Sequence, residues 1–342
     1  MKTSHPQETI QTIYFATNRN PNNKSNPTSF GDMFSSADLG DLRFGEAQVR
    51  NETLDKSTIR TLPDNSEEGS KVLFDNLRNA MRNQSQDSLI FIHGFNVTFT
   101  QAIESAAKMG NVYARLSKDK DNDKYDPNIF VFSWPSNGKI FEYQNDRHDA
   151  EASGYAFARG LGKLTEFLRA TVKGQACQQK IHLMAHSMGV YVLRHAVQQT
   201  QKISIGKLPR LFDDIILAAA DEDNDAFEHD YKLAKLAELG QRVTVYCNSG
   251  DQALRVSDIT KGNPDRLGHD GPLNPHLVSS KVVTVDVSDV VNGIVVNDIA
   301  EHAYHVEVEK VAKDILAVLR GKSSETIASR RYVPHANKFR LE

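Results

Sequence analysis

The sequence predicts an α/β fold with a mainly parallel central sheet and helices on both faces. Three observations support this prediction. Continuous apolar runs, typical of strands buried on both faces, recur along the chain. Segments with apolar residues at helical spacing separate these runs, and turn-forming residues such as His-Gly or Ser-Gly-Asp follow several of them. Strands that alternate with helices form βαβ units and therefore a parallel sheet.

The N-terminal part of the chain follows a different pattern. Residues 11–16 are rich in β-branched and aromatic side chains, and residues 42–50 alternate apolar with polar side chains. Residues 58–62 predict a further strand, whereas the segment 18–32, rich in Asn, Pro and Ser, predicts a loop. Such a pattern indicates strands with one solvent-exposed face, which is typical of antiparallel strands at an edge of the sheet.

The alternation of helices and buried strands begins near residue 66. It predicts one domain over residues 1–320, with edge strands at about 10–62 and a core at about 66–320. Residues 321–342 are polar and basic, and they predict a tail that is either disordered or lies on the surface of the domain. The buried strands are expected at 88–95, 128–135, 180–187, 214–221, 242–249 and 281–288, with helix faces marked by Leu73, Phe99, Phe157, Tyr191, Tyr231 and Val308 among others.

The composition is that of an ordinary globular protein, with 39% hydrophobic and 25% charged residues and a formal net charge of -3. This charge gives no reason to expect nucleic acid or an anionic membrane as a partner. The first residues lack the apolar stretch of a signal peptide, and no segment predicts a membrane span. Cys177 and Cys247 are too few for a disulfide framework, so we expect free thiols and a cytoplasmic location.

The third buried strand ends in Ala185-His186-Ser187-Met188-Gly189, which is close to the G-x-S-x-G nucleophile elbow. In that motif a sharp turn from a strand to a helix raises the serine hydroxyl above the sheet. The required context is present, because an apolar strand precedes the motif and a helical pattern follows it. Ser187 is therefore the predicted nucleophile of a serine hydrolase with the α/β-hydrolase fold.

The first buried strand ends in His93-Gly94-Phe95-Asn96. A His-Gly turn at this place commonly supplies one backbone N–H to the oxyanion hole, and the residue after the nucleophile supplies the other. These positions predict Phe95 and Met188 as the two donors. We also expect His93, Asn96 and His186 near the pocket.

The chain order expected for this fold is nucleophile, acid, histidine. Asp251 follows the fifth buried strand, where the acid usually lies. Asp223 and Asp221 follow the fourth strand and remain the alternative acids. The base must precede the last helix, where His302 and His305 are the two candidates.

The sequence contains no H-E-x-x-H motif, no pair of C-x-x-C motifs and no phosphate-binding loop, so neither a metal nor another cofactor is expected. Trp134 and Tyr143 follow the second buried strand and are candidate pocket residues, although Trp134 fits a core position equally well. The predicted reaction is hydrolysis of a small-molecule carboxylic ester. An acyltransferase or thioesterase would use the same triad, and a non-catalytic binding protein would not need all three residues.

These motifs together resemble the α/β-hydrolase family of the DUF900 type. The resemblance extends from Phe15-Ala16-Thr17-Asn18-Arg19 to the last helix and is carried by the segments that match the family pattern. They are Phe44-Gly45, His93 to Asn96, Phe132 to Ser136, then Tyr143, Asp146 and Ser153, Ala185 to Gly189, Ser249 to Leu254, and Glu301 to His305.

The resemblance implies a hydrolase and assigns the catalytic histidine to His302, because the family's terminal GHxYF motif is similar to Glu301-His302-Ala303-Tyr304-His305. It supports Asp251 through the segment Ser249 to Leu254. It does not imply a particular substrate.

Overall fold

The computed structural model describes residues 9–35, 38, 41–63, 69–117, 125–137, 142–170, 178–204, 208–251, 253–254, 265–291 and 302–342. Within these ranges the chain forms a large sheet of eleven strands and a small sheet of two. The strands are β1 (Ile10–Thr17), β2 (Arg19–Pro21), β3 (Phe30–Phe34), β4 (Arg43–Arg50), β5 (Thr53–Pro63), β6 (Ser88–Ile92), β7 (Asn128–Ser133), β8 (Ile181–His186), β9 (Phe212–Ala218), β10 (Gly240–Cys247), β11 (Val282–Asp286), β12 (Arg330–Val333) and β13 (Lys338–Leu341).

The strand order of the large sheet is β12-β13-β11-β10-β9-β8-β6-β7-β1-β4-β5. All neighbours from β13 to β1 pair in parallel, whereas β4 and β5 at one edge and β12 at the other pair antiparallel. This confirms the predicted fold class, including the antiparallel N-terminal edge. The first strand differs from its edge neighbours, because β1 joins the parallel part of the sheet beside β7.

Helices cover both faces of the sheet. The helices are α1 (Gly69–Gln84), α2 (Phe99–Ser117), α3 (Tyr143–Ala170), α4 (Gly189–Ile203), α5 (Leu236–Leu239), α6 (Leu267–Asp270), α7 (Ser288–Val291), α8 (Tyr304–Glu307) and α9 (Glu309–Leu319). Among the described residues, three single turns of 3-10 helix lie at Ala226–Glu228, Ser324–Thr326 and Pro334–Ala336.

Successive side chains of a strand point to opposite faces, and β6 illustrates how this builds two cores. Ile90 and Ile92 pack in the cluster that includes α1, α3 and α4. Leu89 and Phe91 pack in the cluster that includes α2 and α9. Each fully buried side chain of this size stabilises the fold by roughly 1.5–3 kcal/mol, so a run without polar residues suits a strand covered on both sides.

The strand order reverses between β6 and β8. From β6 the chain continues to β7 on one side, whereas β8, β9, β10 and β11 follow one another on the other side. Loops at the carboxyl ends of the two strands diverge at such a point and leave a crevice. The turns after β6 and β8 contain His93-Gly94 and Ser187, so both predicted motifs border this crevice.

The prediction of a polar tail over residues 321–342 is wrong for residues 330–341. Residues 330–333 and 338–341 form β12 and β13, and β13 pairs in parallel with β11. Phe339 and Leu341 point into the core, while Arg330 donates hydrogen bonds to buried Asp314. The basic composition misled the prediction because Arg330 and Lys338 form ion pairs within the fold, while Arg331 remains exposed.

Two further expectations need correction. The segment 18–32 is not wholly a loop, because Arg19–Pro21 and Phe30–Phe34 pair as an antiparallel hairpin. The helix expected around Tyr231 begins only at Leu236, since the Leu233 N–H bonds to the Ala226 carbonyl and takes the chain out of helical register.

Cys247 is a buried free thiol, and Cys177 lies outside the described residues. No helix within the described ranges is long and apolar enough to cross a bilayer.

Candidate active site

Ser187 occupies the turn between β8 and α4 with a φ of 54°. A residue with a side chain rarely adopts this left-handed conformation, which costs on the order of 1–3 kcal/mol and must be held by its surroundings. Two backbone hydrogen bonds hold it here: the Ser187 N–H donates to Ala218 O at 3.0 Å, and Ser187 O accepts from the Asp221 N–H at 3.2 Å. The turn therefore has the strained geometry of a nucleophile elbow.

Two glycines allow the turns after β6 and β8 to touch. A Cβ atom on Gly94 would lie 2.8 Å from Ser187 Cβ, and one on Gly189 would lie 2.6 Å from both Ile92 O and His93 O. Both distances are too short for a real side chain. The glycines of the two motifs are thus required by close approach, which places the turn after β6 directly against Ser187.

His302 lies against Asp251. Its Nδ1 atom is 2.8 Å from Asp251 Oδ2, and Asp251 is fully buried. The other carboxylate oxygen accepts the Leu254 N–H at 3.2 Å. Asp251 is therefore fixed by its own loop and fixes the imidazole in turn, with Nδ1 as the protonated nitrogen and Nε2 free to accept a proton.

Electrostatics favour protonation of His302. Burial by itself lowers the pKa of His302, but the charge of Asp251, the hydrogen bond to it and the charge of Asp221 together raise the pKa above the ordinary value. Burial thus favours the neutral imidazole, whereas the two carboxylates favour the imidazolium. This balance suits a group that takes up a proton and must hold it briefly.

The other histidines of the site are held neutral. Burial and the neighbouring His305 and His302 lower the pKa of His186 well below the ordinary value, and the His186 Nε2–H donates to His302 O at 3.2 Å. Burial and His302 lower the pKa of His305 to about 3, and its ring packs on His186 with centroids 4.4 Å apart. These rings support the segment that carries His302, and His305 has no carboxylate bonded to its ring among the described residues.

Tyr304 fixes the segment of His302 to the sheet. Its hydroxyl accepts the Ala219 N–H at 2.7 Å and donates to Tyr246 O at 2.9 Å, and the side chain is fully buried. Ala219 directly follows β9, and Tyr246 is the penultimate residue of β10. No role for Tyr304 was expected from the sequence, although its position in the motif around His302 was the available signal.

The alternative acids bond elsewhere. Asp221 accepts a hydrogen bond from the Tyr143 hydroxyl and lies 3.4 Å from Arg266 Nε. Asp223 forms ion pairs with Arg266 at 2.8 Å and with Lys232 at 3.0 Å. The geometry thus favours Asp251 as the partner of the histidine.

The expected pocket residues divide into two groups. Trp134 and His93 are buried and stack on each other, with the Trp134 Nε1–H donating to His93 O at 2.9 Å, so both support the turn after β6 and do not line an open pocket. Phe95 and Tyr143 are partly exposed and pack together with ring centroids 5.4 Å apart. Asn96 is also partly exposed and has a left-handed φ of 60°.

Within the described part of the chain, no group of three or more His, Cys, Asp or Glu side chains is arranged to hold a metal ion. The arrangement instead brings together a strained serine, a histidine bonded to a buried carboxylate, and two turns with backbone N–H groups. This set of groups is suited to nucleophilic attack on an acyl carbonyl.

Comparison with known proteins agrees with this fold. The sequence model of the family described as "Alpha/beta hydrolase of unknown function (DUF900)" matches residues 70–320. A segment of 126 residues is 33% identical to the uncharacterized protein alr1448 of Nostoc sp. (strain PCC 7120), and this alignment spans 32% of the chain and 31% of that protein. The chain thus matches about a third of the length of this relative.

Proposed function

This chain belongs to the DUF900 family of α/β hydrolases, and we propose that it is a serine hydrolase that cleaves carboxylic esters through an acyl-enzyme on Ser187. The family assignment supports a hydrolase fold and leaves the reaction open. The proposal for the reaction depends on the site. Its central support is the 2.8 Å contact between His302 and buried Asp251, combined with the strained Ser187 on the elbow.

In the first half of the proposed reaction, Ser187 Oγ attacks the acyl carbonyl carbon and His302 Nε2 takes the hydroxyl proton. The carbonyl oxygen becomes an oxyanion that accepts hydrogen bonds from the Phe95 and Met188 N–H groups. One such donor is worth roughly 3 kcal/mol of barrier lowering. The tetrahedral intermediate collapses, His302 returns the proton to the leaving alkoxide, and the alcohol departs.

In the second half, a water molecule attacks the acyl-enzyme while His302 takes one of its protons. A second tetrahedral intermediate collapses, the proton returns to Ser187 Oγ, and the carboxylic acid is released. Asp251 keeps its charge throughout and stabilises the imidazolium. No further reactant is needed besides the ester and water.

Hydrolysis of p-nitrophenyl esters with graded acyl chains tests this proposal. Wild-type protein should hydrolyse at least one of them, and Ser187→Ala should lose the activity. Ser249→Ala is the matched control, because Ser249 is an exposed serine whose hydroxyl bonds to Ser288 Oγ at 3.0 Å. Equal loss of activity in both variants, or activity that persists in Ser187→Ala, would overturn the assignment of the nucleophile.

A further inference from the structure

Arg19 is a buried arginine at the start of β2, with 1% of its surface exposed. It precedes the nucleophile by more than 160 residues, yet it reaches the turn that follows β6. We call the segment of residues 93–97 the HG loop.

The guanidinium of Arg19 donates hydrogen bonds in four directions. Nη2 donates to Val97 O at 2.6 Å, and Nη1 donates to Gly31 O at 3.0 Å and Ser136 O at 3.2 Å. Nε donates to Ser133 Oγ at 2.9 Å. One side chain thereby ties the HG loop to the segment after β7 and to β3.

All four acceptors are uncharged oxygens. The described residues offer Arg19 no ion pair, although the more distant charges of Asp146, Asp32 and Asp149 favour its protonated form. Burial outweighs them and lowers the pKa of Arg19 to about 9, so the group remains charged near neutral pH. A buried cation is costly unless hydrogen bonds compensate it, and these bonds to the loop do so.

The HG loop is held at both of its ends. At its far end, Val97 O accepts from Arg19 and the Val97 N–H donates to Ser136 Oγ at 3.2 Å. At its near end, His93 O accepts the Trp134 indole N–H. Phe95 lies between these two fixed points, and Gly94 lies directly against Ser187.

We propose that Arg19 is a positioning residue that fixes Val97, and thereby the direction in which the Phe95 N–H points at the acyl oxygen on Ser187. This role rests on the proposed function, because it concerns the oxyanion of that reaction. Arg19 touches neither substrate nor Ser187, and it acts through the backbone of the HG loop.

Lysine cannot replace arginine in this role. The planar guanidinium presents donors in fixed directions, whereas an ammonium is a single point with three donors on a flexible stem. Arg19→Lys would keep the charge and lose the simultaneous contacts to Val97 and Ser136. A displacement of the donor by about 1 Å at the reacting centre can cost roughly 100-fold in rate.

The test measures kcat per active site for wild type, Arg19→Lys and Ser136→Ala, with active sites counted by fluorophosphonate titration. Ser136→Ala removes the acceptor of the Val97 N–H and tests the same loop if Arg19→Lys fails to fold. Arg242→Met is the control, because Arg242 also bonds two backbone carbonyls, Lys322 O and Val318 O, but lies at the amino end of β10, opposite Ser187. Inhibition by a trifluoromethyl ketone, which forms a tetrahedral adduct on the serine, is measured in parallel.

We expect Arg19→Lys to lower kcat per site roughly 10- to 100-fold with little change in KM. The ketone should bind more weakly by the same factor, because its oxyanion needs the same N–H. Ser136→Ala should change both quantities in the same direction, and Arg242→Met should lower only the melting temperature.

An unchanged kcat per site in folded Arg19→Lys, or in Ser136→Ala where Arg19→Lys does not fold, would overturn the positioning role. A loss explained by fewer titratable sites alone would also overturn it. A wild type that takes no label would overturn the proposed function and this role together. A labelled wild type with an unaffected Arg19→Lys would overturn this role alone.

Discussion

The Nδ1 atom of His302 lies 2.8 Å from Oδ2 of Asp251, and this contact joins two loops that follow different strands of the sheet. Asp251 follows β10, and His302 comes after β11 and immediately before α8. Because Asp251 is buried, its charge acts on the imidazole with little screening by water.

We predict that Asp251→Asn lowers kcat for an ester by about 10³- to 10⁴-fold, because the wrong tautomer of His302 is then favoured. Asp223→Asn is the control. It weakens the ion pairs with Arg266 and Lys232 and should lower the melting temperature while leaving most of kcat. If Asp223→Asn were folded but inactive and Asp251→Asn remained active, the catalytic acid would have to be assigned to the loop after β9.

The pH profile should follow the raised pKa of His302. The base works only when it is neutral, so kcat/KM should fall as the pH decreases through a value above 6.5, the ordinary value for histidine. In Asp251→Asn the residual activity should show this limb at a lower pH, since the carboxylate that raised the pKa is gone. If the decrease of kcat/KM at low pH occurred at the same pH in the variant as in wild type, a group other than His302 would be responsible for it.

Tyr304→Phe should reduce both activity and stability. The change leaves the Ala219 N–H and Tyr246 O without their hydrogen-bond partner. Each buried polar group without a partner lowers the free energy of unfolding by about 1–3 kcal/mol. Tyr246→Phe is the matched control, because the Tyr246 hydroxyl bonds to Asp314 on α9 and not to the segment of His302. Chemical denaturation and kcat should separate the two: both variants lose stability, and only Tyr304→Phe loses turnover. Equal turnover in both would refute the role of Tyr304 in placing His302.

Arg330→Met should destabilise the fold by about 3–5 kcal/mol, because it leaves buried Asp314 without its cation. Arg331→Met next to it should leave the free energy of unfolding almost unchanged, since the ion pair of Arg331 with Glu342 is exposed. Urea unfolding measures both. If both variants changed the free energy of unfolding only slightly, the result would contradict the incorporation of β12 into the sheet.

A buried histidine at the opposite end of the sheet should make stability depend on pH. His182 Nδ1 lies 3.1 Å from Asp214, and its Nε2 lies 3.5 Å from Asp87. Burial opposes charge on all three groups, but their interactions raise the pKa of His182 and lower the pKa of both carboxyls. The carboxyl contribution is lost as the pH falls below about 4, and the histidine contribution is lost as the pH rises above about 6.5 and through the folded-state pKa.

Wild type should therefore exceed His182→Gln in melting temperature by the widest margin between about pH 4 and about pH 6.5. The margin should narrow at pH 9. A difference that is constant from pH 4 to pH 9 would show that only the packing of the ring matters.

The sequence predicted the parts of the molecule that are encoded locally. The elbow around Ser187 was recognisable because its strand, turn and helix are contiguous, and continuous apolar runs such as Leu89 to Ile92 predicted buried parallel strands. The burial of Phe339 and Leu341 follows the alternation Lys-Phe-Arg-Leu, a strand signal that the basic composition of the segment obscured.

Other features depend on contacts between residues far apart in the chain. The bond from Arg19 to Val97 spans 78 residues, and the bond from Tyr304 to Ala219 spans 85. Local spacing and composition carry no information on such a contact, so no role could be assigned to these two side chains before the structure was known. The choice between Asp251 and Asp223 likewise required the positions of Arg266 and Lys232, which neutralise Asp223.

The central claim is that Ser187 is the activated nucleophile, and fluorophosphonate labelling followed by peptide mass spectrometry tests it most directly. The phosphonyl group should be found on Ser187 of the folded wild type, and labelling should slow strongly in His302→Ala because the hydroxyl then has no base. His305→Ala should be labelled at nearly the wild-type rate. A folded protein that takes no label, or that carries it on Ser249, would contradict the claim.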